Sequence, residues 1–104
     1  NKTMILGASG QNIYPEEIED KLNVQTGVGE SLVVEREGKL VALVFPDETL
    51  AKRMTLEELQ KQMRENLQKL NKLIPGYSQV SDIEIKQEPF EKTPKKSIKR
   101  FLYK

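Results

Sequence analysis

Residues Thr55 to Ile74 constrain this chain most. Thr55 and Glu58 make the T-x-x-E pattern of a capping box. Apolar residues recur at 56, 59, 63, 67, 70 and 73/74, spacings of three and four that lay one apolar stripe along a helix. Pro75-Gly76 stops it. Such a stripe must be buried against another element, and the rest of the chain reads as strands able to receive it. Glu30 to Glu37 is a strand centred on Leu32-Val33-Val34, Gly38-Lys39 a tight turn, and Leu40 to Phe45 a second strand apolar enough to be buried on both faces. Pro46-Asp47 ends it. Val80 to Ile85 alternates, with Ile83 and Ile85 on one face and Asp82 and Glu84 on the other.

Upstream, Thr3-Met4-Ile5-Leu6 and Asn12-Ile13-Tyr14 flank Gly7-Ala8-Ser9-Gly10, the pattern of a β-hairpin. Pro15 opens a helix with Glu16 and Glu17 in its first turn and Ile18 and Leu22 on one face; Asn23 to Gly29 ends it. Pro89 and Pro94 hold the segment between them extended, and Ile98, Phe101 and Leu102 are spaced for a short closing helix. The order ββαββαβα predicts an α+β fold: a small three-stranded sheet with flanking helices plus an N-terminal hairpin. Its core draws on Ile18, Leu22, Val33, Leu43, Phe45, Leu59, Met63, Leu67, Leu70, Ile83 and Ile85.

Composition removes whole classes of chemistry. The 104 residues include no Cys, His or Trp. Thiol nucleophiles, disulfides, zinc centres and Ser-His-Asp arrangements are therefore excluded. No apolar run approaches the ~18 residues of a membrane span, and no signal peptide is visible. With 32% charged and 37% hydrophobic residues the chain is globular, of a length for one domain. Absence of Cys suits the cytoplasm; the location expected is cytoplasmic, with a place peripheral to the membrane as the alternative. The first residue is Asn1, the expectation for a domain cut from something longer.

The formal charge of +1 hides an asymmetry. All 16 acids lie before Lys92, whereas Lys92, Lys95, Lys96, Lys99, Arg100 and Lys104 follow without one. A basic tail addresses phosphate, nucleic acid, a membrane surface or an acidic partner, or is simply solvated. No carboxylate pair stands out as an acid/base couple. Gly7 to Gly10 lacks the Gly-Lys-Ser/Thr ending of a phosphate loop and precedes a strand; it is a hairpin turn whose glycines also permit a close backbone approach to a ligand. A lysine on the tail loop can carry a point charge to developing negative charge, but only into a cavity supplied by another domain.

Two stretches together resemble one family. Gly7-Ala8-Ser9-Gly10-Gln11-Asn12-Ile13-Tyr14-Pro15-Glu16-Glu17-Ile18-Glu19 resembles the G-x-x-I-x-P-x-E-I-E motif of acyl-adenylate-forming enzymes: acyl-CoA synthetases, peptide-synthetase adenylation domains and luciferases. Lys92 to Arg100 is similar to their closing P-K-T-x-x-G-K-I-x-R motif. The wording around Ser9 to Pro15 looks most like long-chain fatty acid–CoA ligases.

The resemblance implies that residues 1–104 form the mobile C-terminal lid of a larger ligase, inactive alone. A large N-terminal domain of the same polypeptide would bind most of the ATP, its Mg counter-ion, the CoA and the fatty acid. It implies a hinge at Lys2-Thr3, a hairpin Gly7, Ala8, Ser9, Gly10 and Gln11 facing the pantetheine arm, and a tail lysine serving adenylation. Here the pattern departs: Ser97 stands where the catalytic lysine is usual, and Lys96 takes the usual Gly position. Lys96 is the candidate substitute and Lys95 the runner-up. No metal site is expected in this chain. The alternative is a small basic-tailed nucleic-acid-binding module, with Phe90, Phe101 and Tyr103 for stacking, or a protein-interaction domain.

Overall fold

A computed structural model describes residues 3–103. Strands β1 (Ile5–Leu6) and β2 (Asn12–Ile13) pair antiparallel, Ile5 opposite Ile13. Helix α1 (Pro15–Leu22) starts on Pro15, whose missing N–H falls where a helix has no use for it, with Glu16 and Glu17 in the first turn. Strands β3 (Val28–Arg36) and β4 (Lys39–Pro46) form an antiparallel hairpin. Arg36 pairs with Lys39, so the turn is Glu37-Gly38, one residue earlier than the sequence suggests. Both residues have positive φ, 53° and 78°, the two-residue loop whose twist matches that of the strands it joins.

Helix α2 (Glu48–Ala51) is an element the sequence does not announce, being too short to show a period. It is capped by Asp47, whose Oδ1 accepts from the Thr49 N–H at 3.0 Å. Helix α3 (Leu56–Leu73) follows, with the capping box closed in both directions: the Glu58 N–H donates to Thr55 Oγ1 at 3.1 Å, and the Thr55 N–H donates to Glu58 Oε1 at 2.8 Å. It leads through a 3-10 turn at Gly76–Ser78 into β5 (Val80–Ile85). β5 pairs parallel to β4, giving the sheet order β3-β4-β5.

The sheet has a core on each face. On one, Val33, Leu40, Ala42, Val44 and Val80 meet Ile18 and Leu22 of α1 and Leu59, Met63 and Leu70 of α3; Leu67, Ile83 and Ile85 pack around them. Each Val, Leu, Ile or Met side chain so withdrawn from water contributes roughly 1.5–3 kcal/mol. On the other face Leu32, Val34 and Leu43 are covered by Phe90, with Val41, Phe45, Ile98 and Tyr103 around the edge. β4 is thus buried on both sides, as its apolar run requires. The second layer is the tail itself rather than a helix.

Two expectations need correcting. Leu56 and Leu73, the first and last residues of α3, are 65% and 59% exposed, and Ile74 takes the buried place. The closing helix is a single 3-10 turn, Arg100–Leu102, with Phe101 in solvent. The backbone before it is already committed sideways: Lys92 and Ile98 form an antiparallel bridge, and the Lys99 N–H donates to the Glu91 carbonyl at 2.9 Å. The segment between Pro89 and Pro94 is non-helical, as expected, and carries that bridge at Lys92; Pro94 itself opens the turn between the two bridged residues. Asn66 is also unforeseen: fully buried on α3, it donates to the Thr26 carbonyl at 2.8 Å and accepts from Gln62 Nε2 at 3.1 Å, fastening the loop after α1 to the long helix.

Candidate functional site

Two exposed loops carry the residues singled out in the sequence, and they have the same construction. In the first, the Gly10 N–H donates to the Gly7 carbonyl at 2.9 Å and the Gly7 N–H to the Gln11 carbonyl at 2.7 Å. In the second, the Lys96 N–H donates to the Thr93 carbonyl and the Thr93 N–H to the Ser97 carbonyl, both at 2.8 Å. Each is a three-residue loop closed by one residue in the left-handed region, the arrangement called a G1 bulge. That residue is Gly10 in the first loop, φ 88°, and Lys96 in the second, φ 66°. The usual glycine of the closing motif is therefore a backbone requirement. Lys96 meets it at a cost of about 1–2 kcal/mol, since its Cβ crowds the following carbonyl.

The first loop presents Ala8, Ser9 and Gly10 to solvent. Gly7 and Gln11 form its half-buried base, and the Gln11 side-chain oxygen is enclosed there without a hydrogen-bond partner. A Cβ on Gly7 would meet the Gln11 carbonyl oxygen and Ile13 Cδ1, each at 3.2 Å, whereas one on Gly10 would meet nothing within 4 Å. Gly10 is fixed by its φ, Gly7 by space.

The second loop stands on two stems. One continues from Phe90, which packs edge-on against Tyr103 with ring centroids 5.0 Å apart; the Tyr103 hydroxyl oxygen accepts from the Glu91 N–H at 2.8 Å. These two aromatics belong to the core, and only Phe101 is left exposed of the three considered for base stacking. At the base of the loop Lys92 is ion-paired with Glu30. The other stem ends at Arg100, whose guanidinium grips Glu19 with both terminal nitrogens, at 2.9 and 2.5 Å. Glu19 Oε2 also accepts from the Val33 N–H at 2.7 Å. Burial pushes the Glu19 carboxyl above its ordinary value, against the pull of Arg100 and the Val33 N–H. Glu16 goes the other way. Burial would raise it, but the Thr3 N–H at 2.9 Å and the nearby Arg100 charge hold it below its ordinary value.

Between α1, the start of β3 and this loop lies an open cleft of about 400 Å³, walled in part by Glu19, Glu30, Lys92, Lys96, Ser97 and Arg100. Lys92 and Arg100 are already neutralised there by Glu30 and Glu19. Among the described residues, Lys95 and Lys96 have no carboxylate within ion-pairing distance. Among the described residues Lys96 is thus the cationic wall residue without an ion-pair partner, in a wall whose three acids (Glu16, Glu19 and Glu30) equal its three bases; Lys95 is not part of the wall. Ser97 is exposed beside it, its N–H donating to Thr93 Oγ1 at 3.3 Å. At the chain entry Thr3 is exposed, and Lys2 lies outside the described residues. Among the described residues no group of three or more Asp or Glu side chains could hold a metal ion, and no helix is long and apolar enough to cross a membrane.

Glu19 and Arg100 escaped the sequence reading, although a signal was present. Positions 15, 18, 19 and 22 form one face of α1, so Glu19 points inward with its neighbours and needs a cation there.

Solved structures of adenylate-forming enzymes share this architecture. The adenylation domain of a carboxylate reductase from Mycobacterium chelonae aligns over 95% of this chain and 17% of its own, with TM-score 0.82 and 17% identity. A fatty acyl CoA synthetase from Mycobacterium tuberculosis aligns over 95% of this chain and 18% of its own, with TM-score 0.62 and 20% identity. An acyl-CoA synthetase from Brucella canis aligns over 90% and 17%, with TM-score 0.68 and 26% identity. This chain thus spans under a fifth of the length of each. No curated protein matches the sequence significantly. Residues 2–103 match the family described as AMP-binding enzyme C-terminal domain, and the chain belongs to it.

Proposed function

We propose that this chain is the mobile C-terminal domain of an ATP-dependent acid–CoA ligase, with a long-chain fatty acid as the acid. One observation carries the reading: a family match over residues 2–103 coincides with two solvent-facing loops, one glycine-rich and one with a cation that has no ion-pair partner among the described residues. The cleft beside Lys96 is open to solvent, so ATP, its Mg counter-ion, CoA and the acid would be held mainly by a large N-terminal domain joined through Lys2-Thr3. Long-chain specificity rests on the Ser9 to Pro15 wording alone.

In the first half-reaction a carboxylate oxygen attacks the α-phosphorus of ATP. A C–O–P linkage forms, the bond to the β-phosphate oxygen breaks, and pyrophosphate leaves. Negative charge grows on the α-phosphoryl oxygens, where a cation on an exposed loop gives more stabilisation than in the ground state. Lys96 is the candidate for that cation, with Lys95 as runner-up; Ser97, at the usual lysine position, can offer only a hydroxyl hydrogen bond. In the second half-reaction the CoA sulfur attacks the acyl carbonyl and AMP leaves. The Gly7–Gln11 loop, whose tip has little side-chain bulk, would face the pantetheine arm and let it pass close to backbone. Structures named as carboxylate reductase and as acyl-CoA synthetase share the fold, and the thiol step is what separates these readings.

The test is to assay the full-length protein with ATP and a fatty acid series, following pyrophosphate release, then acyl-CoA on adding CoA. Acid-dependent pyrophosphate release and acyl-CoA formation are expected. Pyrophosphate release with no thioester from CoA would contradict the ligase assignment. The 104-residue chain alone should release none.

A further inference from the structure

The loop bearing Lys96 is fixed to the fold by a contact that joins opposite ends of the sequence. Of the ion pairs among the described residues, Arg100–Glu19 alone includes a side chain less than a tenth exposed. At the other stem Lys92 and Glu30 are partly in water, where an ion pair restrains weakly. Ile98, between loop and strut, is only half-buried. Glu19 uses both oxygens: Oε1 on one guanidinium nitrogen, Oε2 on the other and on the Val33 N–H of the outer sheet edge. Arg100 is thus registered to the backbone of β3 through one carboxylate. On its flank Glu16 Oε2 lies 3.7 Å from Arg100 Nε and accepts from the Thr3 N–H, which ties in the chain entry.

We propose that Arg100 is a positioning residue: its two-pronged grip on Glu19, flanked by Glu16, holds the Thr93–Ser97 loop at a fixed place on α1 and β3, so that the Lys96 charge arrives at one site. The consequence for catalysis rests on the reading of Lys96 given above; the positioning does not. The planar fork is essential to it. An ammonium reaches a carboxylate as a point charge and leaves rotation about the contact free. Arg100→Lys therefore keeps charge and burial while removing the orientation.

The experiment is amide hydrogen exchange on the chain, comparing wild type with Arg100→Lys. The Thr93, Lys96, Ser97 and Lys99 amides, all bonded within the loop and its stems, should exchange at least tenfold faster, while β4 amides change less than twofold. Unchanged loop amides, or a rise spread equally over β4, would overturn the proposal. Should Arg100→Lys fail to fold, Glu19→Gln keeps the acceptor for Val33 and should give the same local pattern with a smaller factor. In the full-length enzyme, Arg100→Lys should slow adenylation, and Lys96→Ala should then add little; losses that multiply would mean Arg100 does not act through Lys96. If Lys96→Ala alone leaves adenylation intact, the reading of Lys96 fails, and hydrogen exchange still decides whether Arg100 positions the loop.

Discussion

Replacing Lys96 by glycine should make the domain more stable and the enzyme worse. Lys96 holds φ at 66° in a loop built like the one where Gly10 holds 88°. Glycine relieves about 1–2 kcal/mol of left-handed strain and returns roughly 0.5–1 kcal/mol as extra backbone freedom in the unfolded chain. The net gain is about 0–1.5 kcal/mol, centred on about 0.75, which in a domain near 100 residues raises Tm by roughly 3–6 °C at that centre. The same change removes the unpaired cation of the cleft. An electrostatic contact made in the transition state is worth about 3–4 kcal/mol, or roughly 100–1000-fold in adenylation rate. Lys96→Ala should show the kinetic loss without the gain in Tm, because alanine keeps the strain. Ser97→Lys in the Lys96→Ala enzyme, which restores a cation at the usual position, should recover part of the rate. Differential scanning fluorimetry and pyrophosphate release measure the two effects separately. The reasoning fails if Lys96→Gly lowers Tm, or if adenylation stays within a fewfold of wild type.

Two further outcomes test the fold and its electrostatics. Glu16 is held below its ordinary carboxyl value of 4.5 in the folded chain, so its contribution to stability is present above that pH and lost as pH falls through the depressed value; the gap in Tm between wild type and Glu16→Gln should be open at pH 7 and close in acid, and a gap that widens in acid would show the sign to be wrong. Asn66→Ala removes a buried side chain and strands the Thr26 carbonyl and Gln62, so urea unfolding should register a loss of about 2–4 kcal/mol, whereas under 1 kcal/mol would mean that the loop after α1 is held by other contacts.

Where sequence pattern and local chemistry agreed, the elements were legible. The ends of α3 follow from the capping box and Pro75, and β5 from its alternation. β4 had to be covered on both faces, but its run of apolar residues does not say by what. The second cover is the tail, whose Phe90, Ile98 and Tyr103 have no period to reveal them because the segment is neither helix nor regular strand. Polar residues on buried faces were the harder case. Glu19 lies in phase with Pro15, Ile18 and Leu22, and Asn66 with Leu59, Met63 and Leu70, yet a search for apolar periodicity passes over both. Their partners, Arg100 and the Thr26 carbonyl, lie 81 and 40 residues away in sequence, a distance only the folded chain closes. The departure at Lys96-Ser97 was visible as letters. That Lys96 occupies a position made for glycine, and has no ion-pair partner among the described residues, required the backbone angles and the pairing of its neighbours.

The central claim is that the two loops serve different halves of one reaction. Both half-reactions should therefore be measured side by side in the full-length enzyme: adenylation as pyrophosphate release, and thioester formation as CoA-dependent consumption of supplied acyl-adenylate. Lys96→Ala should slow the first by about 100–1000-fold and leave the second near wild type. Gly10→Leu, which puts bulk and a disfavoured φ at the tip of the other loop, should slow the second and leave the first nearly intact. The account predicts that crossed pattern. Equal loss in both half-reactions for either variant would contradict it.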